Sequence, residues 1–228
     1  MGSDKAHYKG HRERLKKRFS SAGLGSFHDY EILELLLTYA IPRKDVKPLA
    51  KTLLRKFGGL KGLMDADLSD IEEVAGISPH SSVLIKLVKE MGTIYLKEKA
   101  REKPHISSTE ELLNYCKSAM GGLKDERFSV IYLNTRNRII KEEIIQEGTV
   151  NQAVIYPRKV LENALKRKAS AIILVHNHPS GHVKPSDADI RLTRIIQDTA
   201  KALEIAVHDH IIIGGNNYFS FRKEGLMA

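Results

Sequence analysis

Three side chains have the types and the spacing to grip a metal ion: His176, His178 and Asp189. They lie in the stretch His176-Asn177-His178-Pro179-Ser180-Gly181-His182-Val183-Lys184-Pro185-Ser186-Asp187-Ala188-Asp189. Two imidazoles and one carboxylate are the ligand set of a catalytic zinc site, in which a fourth position stays open for water. Zinc lowers the pKa of such a water toward about 7, so the chemistry on offer is hydrolysis.

Two elements must position these residues. The run Ala171-Ile172-Ile173-Leu174-Val175 is short, rich in β-branched residues and followed by Pro and Gly, which predicts a buried strand. Residues i and i+2 of a strand share a face, so His176 and His178 point the same way. Ser186 then opens a helix with Asp189 one turn in. A plainer reading fits the same letters. Ser186-x-x-Asp189 is a helix N-cap pattern, and a His-x-His on a strand is often a packing feature. What favours the metal is coincidence: a buried strand, a loop with two prolines and a glycine, and a carboxylate at a helix start. The letters His-Asn-His are not the HNH nuclease motif, whose residues spread over a longer unit.

The spacing His-x-His, seven residues, Ser, two residues, Asp resembles the signature of the JAMM (MPN+/JAB) metallohydrolases. The longer string His-Asn-His-Pro-Ser-Gly, with Pro185-Ser186 and Asp189, resembles the bacterial RadC family. So do Gly10-His11-Arg12-Glu13-Arg14 and Ala40-Ile41-Pro42-Arg43-Lys44-Asp45-Val46 near the N-terminus. The resemblance implies a Zn2+ cofactor, a peptide or protein substrate cleaved at a peptide or isopeptide bond, and a glutamate general acid/base at the start of an earlier strand. Glu126, just before Phe128-Ser129-Val130-Ile131-Tyr132-Leu133, occupies the matching place, with Glu142, Glu143 and Glu147 as rivals. Ser186 is expected to donate a hydrogen bond to the developing oxyanion, a role that competes with helix capping. His182 is expected to be an exposed loop residue outside the ligand set.

A second pair, His208 and His210, also alternates along an apolar strand, but no Ser-x-x-Asp follows it. His210 is therefore expected to support the site or pack in the core. Cys116, the one cysteine, lacks catalytic neighbours and is expected to pack.

The expected fold class is α+β. An N-terminal all-α helix-hairpin-helix domain (1–100) is followed by a linker (101–106). The resemblance implies an α/β three-layer, cytidine-deaminase-like JAMM domain for residues 107–228. The helical part predicts helices over 10–20, 30–39 (capped by Asp29), 46–57 (capped by Asp45) and 60–64. A hairpin around Gly76 then leads into a helix over 79–96. The later part predicts a helix over 107–120, a strand hairpin 128–133/138–147, a helix 157–168, the metal strand, a helix 186–203 and strands 206–213 and 218–221. Val160, Leu161, Ala164 and Leu165 form the expected buried stripe of one helix; Ile190, Ile195, Ile196 and Ala200 form that of another.

A net charge of +9, split almost evenly as +5 and +4 between residues 1–100 and the rest, permits nucleic-acid contact without localising it. The runner-up reading is a DNA-associated protein that binds through the hairpin, where helix N–H groups can hold a phosphate. RadC proteins carry a historical DNA-repair label, which is a name rather than a mechanism. Ser78 departs from the pattern of such hairpins, which carry a second glycine there. A magnesium nuclease ranks last, because imidazoles suit zinc better. No apolar run approaches the roughly 20 residues of a membrane span. With one cysteine and no signal-peptide core, a cytoplasmic location is expected.

Overall fold

Apolar residues at three- and four-residue spacing dominate the first part of the chain, and the computed structural model folds them into helices. Residues 4–102, 110–148 and 155–227 are described. The helices are α1 (Asp4–Ala22), α2 (Asp29–Ala40), α3 (Lys47–Phe57), α4 (Leu60–Asp65), α5 (Leu68–Glu72) and α6 (Pro79–Glu102). Two compact units emerge, Met1–Met91 and Gly92–Ala228.

The first unit closes on Leu33, Leu37, Ala50, Leu53, Leu63, Ile71 and Ile85, all fully buried. Each such Leu or Ile contributes about 1.5–3 kcal/mol by leaving water. Helix α2 is capped by His28 rather than Asp29, with the His28 N–H donating to Glu31 Oε2 at 3.0 Å. Helix α3 starts one residue late, with Val46 as its N-cap. Asp45 acts there by accepting the Lys47 N–H at 3.0 Å. Gly58, at φ 72°, ends that helix in the left-handed conformation glycine adopts without penalty.

Helix α6 runs to Glu102, past the expected end at residue 96. Its charged residues are good helix formers, and Leu96 and Ala100, four apart, both pack on the core of the second unit. Of the expected linker, residues 101 and 102 belong to this helix, and 103–106 lie outside the described residues. The expected caps Ser108 and Thr109 of the next helix also lie outside them.

The second unit continues with α7 (Glu110–Met120), β1 (Arg127–Leu133), β2 (Ile139–Glu147), α8 (Pro157–Lys166), β3 (Ala171–Asn177), α9 (Asp187–Ala202), β4 (Ala206–Gly214) and β5 (Asn217–Ser220). The strands form one sheet in the order β2-β1-β3-β4-β5. Among the described residues only the β3–β4 pair is parallel, with α9 as its crossover. Strand alternation sorts β3 between two cores. Ile173 and Val175 pack with Leu112, Tyr115 and Cys116 of α7. Ile172 and Leu174 pack with Val160 and Ala164 of α8 and Ile196 and Ala200 of α9. Helices thus cover both faces, giving three layers. Cys116 is 2% exposed, and burial pushes its thiol well up, as a packing residue requires. Leu165 and Ile195, expected inside, are 53% and 52% exposed. Thr193 takes the buried position on α9 instead.

Strand β4 carries an irregularity: Ile172 pairs with Val207, but the next residue, Ile173, pairs with Asp209. One extra residue, His208, is accommodated, and every later side chain changes face. Val207 and Ile212 both reach clusters beside α9, whereas uninterrupted alternation would separate them. Asp209, fully buried, pins the strand after this bulge. Its Oδ1 accepts from the N–H groups of His210 (2.8 Å) and Arg222 (3.1 Å), and its Oδ2 accepts from Ser220 Oγ (2.6 Å). Replacing it by Ala strands three donors, so Asp209→Ala is expected to cost about 3 kcal/mol in urea unfolding. A loss under about 0.5 kcal/mol would show that the pin is dispensable.

Candidate metal centre

The face of β3 that carries Ile172 and Leu174 also carries His176, so period two aims its ring at α9. Helix α9 presents Asp189, Thr193, Ile196 and Ala200 at spacings of four, three and four, a single stripe. The apolar half of that stripe docks on the sheet, and its polar half therefore lands beside His176. Ser186 caps the helix in a reciprocal box. Asp189 N–H donates to Ser186 Oγ at 3.1 Å, while Ser186 N–H and Oγ–H donate to Asp189 Oδ2 at 2.7 and 2.6 Å.

The outcome is a cluster. His176 Nε2 lies 3.0 Å from His178 Nε2 and 3.4 Å from Asp189 Oδ1, and His178 Nε2 lies 3.7 Å from Asp189 Oδ2. Ligands about 2.0–2.1 Å from a tetrahedral ion stand roughly 3.3–3.4 Å apart, and the three separations bracket that value. Among the described residues, these three alone form a group of ligand atoms close enough to hold one ion. The donor set fits a cation. His178 Nδ1 faces the backbone carbonyl of His182 at 2.6 Å. A carbonyl only accepts, so Nδ1 carries the hydrogen and the neutral ring turns the Nε2 lone pair toward the cluster. The centre is open on one side: the side chain of His176 is 5% exposed, those of His178 and Asp189 16% and 17%.

Burial pushes the His176 pKa down to about 4, despite Asp189 nearby. The Asp189 carboxylate, 3.7 Å away, holds His178 above its ordinary value against partial burial. Burial works against ionising Asp189, but His178, His176 and the two Ser186 contacts together hold its carboxyl well below the usual range.

Glu126 stands immediately before β1. Partial burial raises its carboxyl pKa, His178 opposes the rise and Asp189 adds to it. The three rival acids are engaged elsewhere. Glu142 takes Tyr115 and Lys97, both at 2.5 Å. Glu143 pairs with Arg167 at 3.0 Å, and Glu147 with Arg127 at 2.5 Å. Ser186 spends its hydroxyl proton on Asp189 Oδ2, the capping arrangement. His182 contributes its carbonyl rather than its ring. His208 and His210 do not share a centre: His208 Nε2 contacts Asn137 Oδ1 at 2.8 Å, and His210 Nε2 lies 2.8 Å from His176 Nδ1. The bulge at His208 is the physical reason they part.

Two residues escaped the sequence reading. Thr193 was hidden as a polar residue inside an apolar stripe, although its i+4 relation to Asp189 was a signal. Asn177 looked like a spacer between two histidines. It is 1% exposed, its Oδ1 accepts the Arg127 N–H at 2.8 Å and its Nδ2 donates to the Asp125 carbonyl at 3.1 Å. These contacts grip the backbone on both sides of Glu126.

In the helical unit, the segment between α5 and α6 turns at Gly76 (φ 97°). Ser81 and Ser82, which follow it, are buried: Ser78 Oγ lies 3.2 Å from Ser81 Oγ, and Ser82 Oγ donates to Glu72 at 2.6 Å. No helix among the described residues is long and apolar enough to cross a membrane.

A mixed five-stranded sheet covered by helices on both faces is consistent with a JAB domain, and its strand-end imidazoles and helix-capping carboxylate form a candidate metal site. Residues 106–226 match the family described as RadC-like JAB domain, and residues 9–83 match the one described as UPF0758 N-terminal. The chain belongs to the bacterial RadC family.

Asn177→Ala leaves a backbone donor and acceptor unpaired. It is expected to lower stability by about 1–3 kcal/mol in chemical denaturation while leaving metal content intact. Loss of metal in a folded Asn177→Ala protein would contradict this division of labour.

Proposed function

We propose that this protein is a zinc-dependent hydrolase of the JAMM type that cleaves a peptide or isopeptide bond. The observation that carries the reading is the convergence of two Nε2 atoms and one carboxylate, with Glu126 beside them and one side open to solvent. A zinc ion held by His176, His178 and Asp189 would supply Lewis acidity, bringing the pKa of a water it binds toward about 7 and polarising a carbonyl.

The remaining work falls to the protein's own groups. Glu126 accepts a proton from the water as its oxygen bonds to the carbonyl carbon. It then returns that proton to the amine as the C–N bond breaks. Its partial burial and the negative Asp189 both raise its proton affinity, which suits a group that must hold a proton between the two steps. Asn177 fixes the backbone from which Glu126 projects. Ser186 can serve the oxyanion only by releasing its bond to Asp189 Oδ2, so capping is its resting role. The choice of zinc follows from the two imidazoles, which suit it better than magnesium.

The chain purified without chelators is expected to hold one zinc per molecule by elemental analysis, and His176→Ala none. A metal-free native protein that also fails to take up added zinc would remove the basis of the proposal. On a fluorescence-quenched peptide library that includes lysine-branched members, Glu126→Gln is expected to keep its zinc and lose about 10²–10⁴-fold in rate. Unchanged turnover would transfer the acid/base role to another group.

A further inference from the structure

Thr193 has one hydroxyl proton and two partners. Its Oγ1 lies 2.5 Å from the backbone carbonyl of Asp189 and 2.6 Å from Nδ1 of His210. The carbonyl can only accept, so the proton goes there and the oxygen is left to accept from His210. Nδ1 of His210 therefore carries a hydrogen. His210 is fully buried, stacked on Phe221 at 4.7 Å and edge-on to Phe128 at 5.7 Å. A charged ring there is costly, and a neutral imidazole has a single N–H. Nε2 of His210 is then a lone pair, and Nδ1 of His176, 2.8 Å away, must be the donor to it. By the same counting, Nε2 of His176 is a lone pair, and that is the atom facing His178 and Asp189.

We propose that Thr193 and His210 are positioning residues that lock His176 in its Nδ1–H tautomer, so that Nε2 is permanently presented to a metal. The chain of hydrogen bonds begins on the carbonyl of Asp189 and ends on the ring that shares the centre with the Asp189 carboxylate. Helix α9 therefore sets the position of one ligand directly and the proton order of another through the sheet. The β4 bulge makes this possible, because without the extra residue His210 would fall on the opposite face. The bonds also orient the ring: His176 is held by Nδ1 and flanked by Phe128 at 5.9 Å. Only the purpose of the lock rests on the metal-site reading; the proton order is a property of the metal-free chain.

Long-range proton–nitrogen correlation spectra of the ¹⁵N-labelled, metal-free full chain read the tautomers directly. Both His176 and His210 are expected as Nδ1–H forms. An Nε2–H form of either ring overturns the proposal, whether or not zinc binds. Thr193→Val keeps the shape of the side chain and removes the hydroxyl. It is expected to mix the His210 tautomers and weaken zinc binding about 10–100-fold in competition with a chromophoric chelator, with Thr193→Ser restoring both. A folded Thr193→Val protein with wild-type zinc affinity and unmixed tautomers also overturns it. If the wild-type chain binds no zinc, the hydrolase reading fails, and the spectra alone decide the tautomer lock.

Discussion

Two ring nitrogens and a carboxylate, each presenting electron density to the others within 3.0 to 3.7 Å, do not gather spontaneously. Most of the second unit can be understood as the means of holding them together. Period-two alternation along β3 sends one set of residues to α7 and the other to α9, and both sets are buried. A slip of one residue would exchange His176 for Asn177 and destroy the centre, but it would also exchange Leu174 for Val175 in two tightly packed cores. The apolar packing of β3 thus protects the register of a polar site. Helix α9 is fixed in the same way, since Ile196 and Ala200 dock on the sheet and Asp189 and Thr193 follow along the same stripe.

The loop between strand and helix lies in close contact with β4. A Cβ on Gly214, at the end of β4, would come within 2.5 Å of the Gly181 carbonyl oxygen. The missing Cβ lets the loop lie on the strand. His178 N–H then donates to the Ile213 carbonyl at 2.8 Å, and His182 offers its carbonyl to the His178 ring. Contacts from β4 and from within the loop therefore set the second imidazole, whereas β3 and the Thr193–His210 pair set the first.

Much of this was legible in the letters, because local rules carry it. A β-branched apolar run reads as a buried strand, Ser-x-x-Asp reads as a cap, and alternation brings His176 and His178 together. What local rules could not carry was anything that depends on pairing between distant segments. The β4 bulge is one such feature. From sequence, His208 and His210 share a face; in three dimensions the extra residue separates them. Helix faces were legible only to within one residue, so Leu165 and Ile195 were expected inside and lie exposed. The charged end of α6 concealed a helix because its apolar period reduces to one pair, Leu96 and Ala100, which meets a core built mostly from later residues.

Asn177 shows why a three-residue string can specify more than its outer letters suggest. Its neighbours present rings to the candidate metal centre, while its amide reaches sideways to the chain entering β1 and holds the backbone on both sides of Glu126. The adjacent pair Phe128–His176 brings those two strand ends level, so the reach is short. The imidazoles and the Glu126 backbone are therefore referenced to the same strand end rather than to separate loops. That matters for any proton transfer at this centre, since a shift of a few tenths of an ångström between donor and acceptor changes the barrier steeply. A side chain with one acceptor and one donor on a short, stiff stem meets this need. Aspartate there would lack the donor for the Asp125 carbonyl, and serine would be too short to bridge the two backbone groups. The central asparagine therefore fixes the backbone around Glu126 as directly as β3 fixes the flanking histidines.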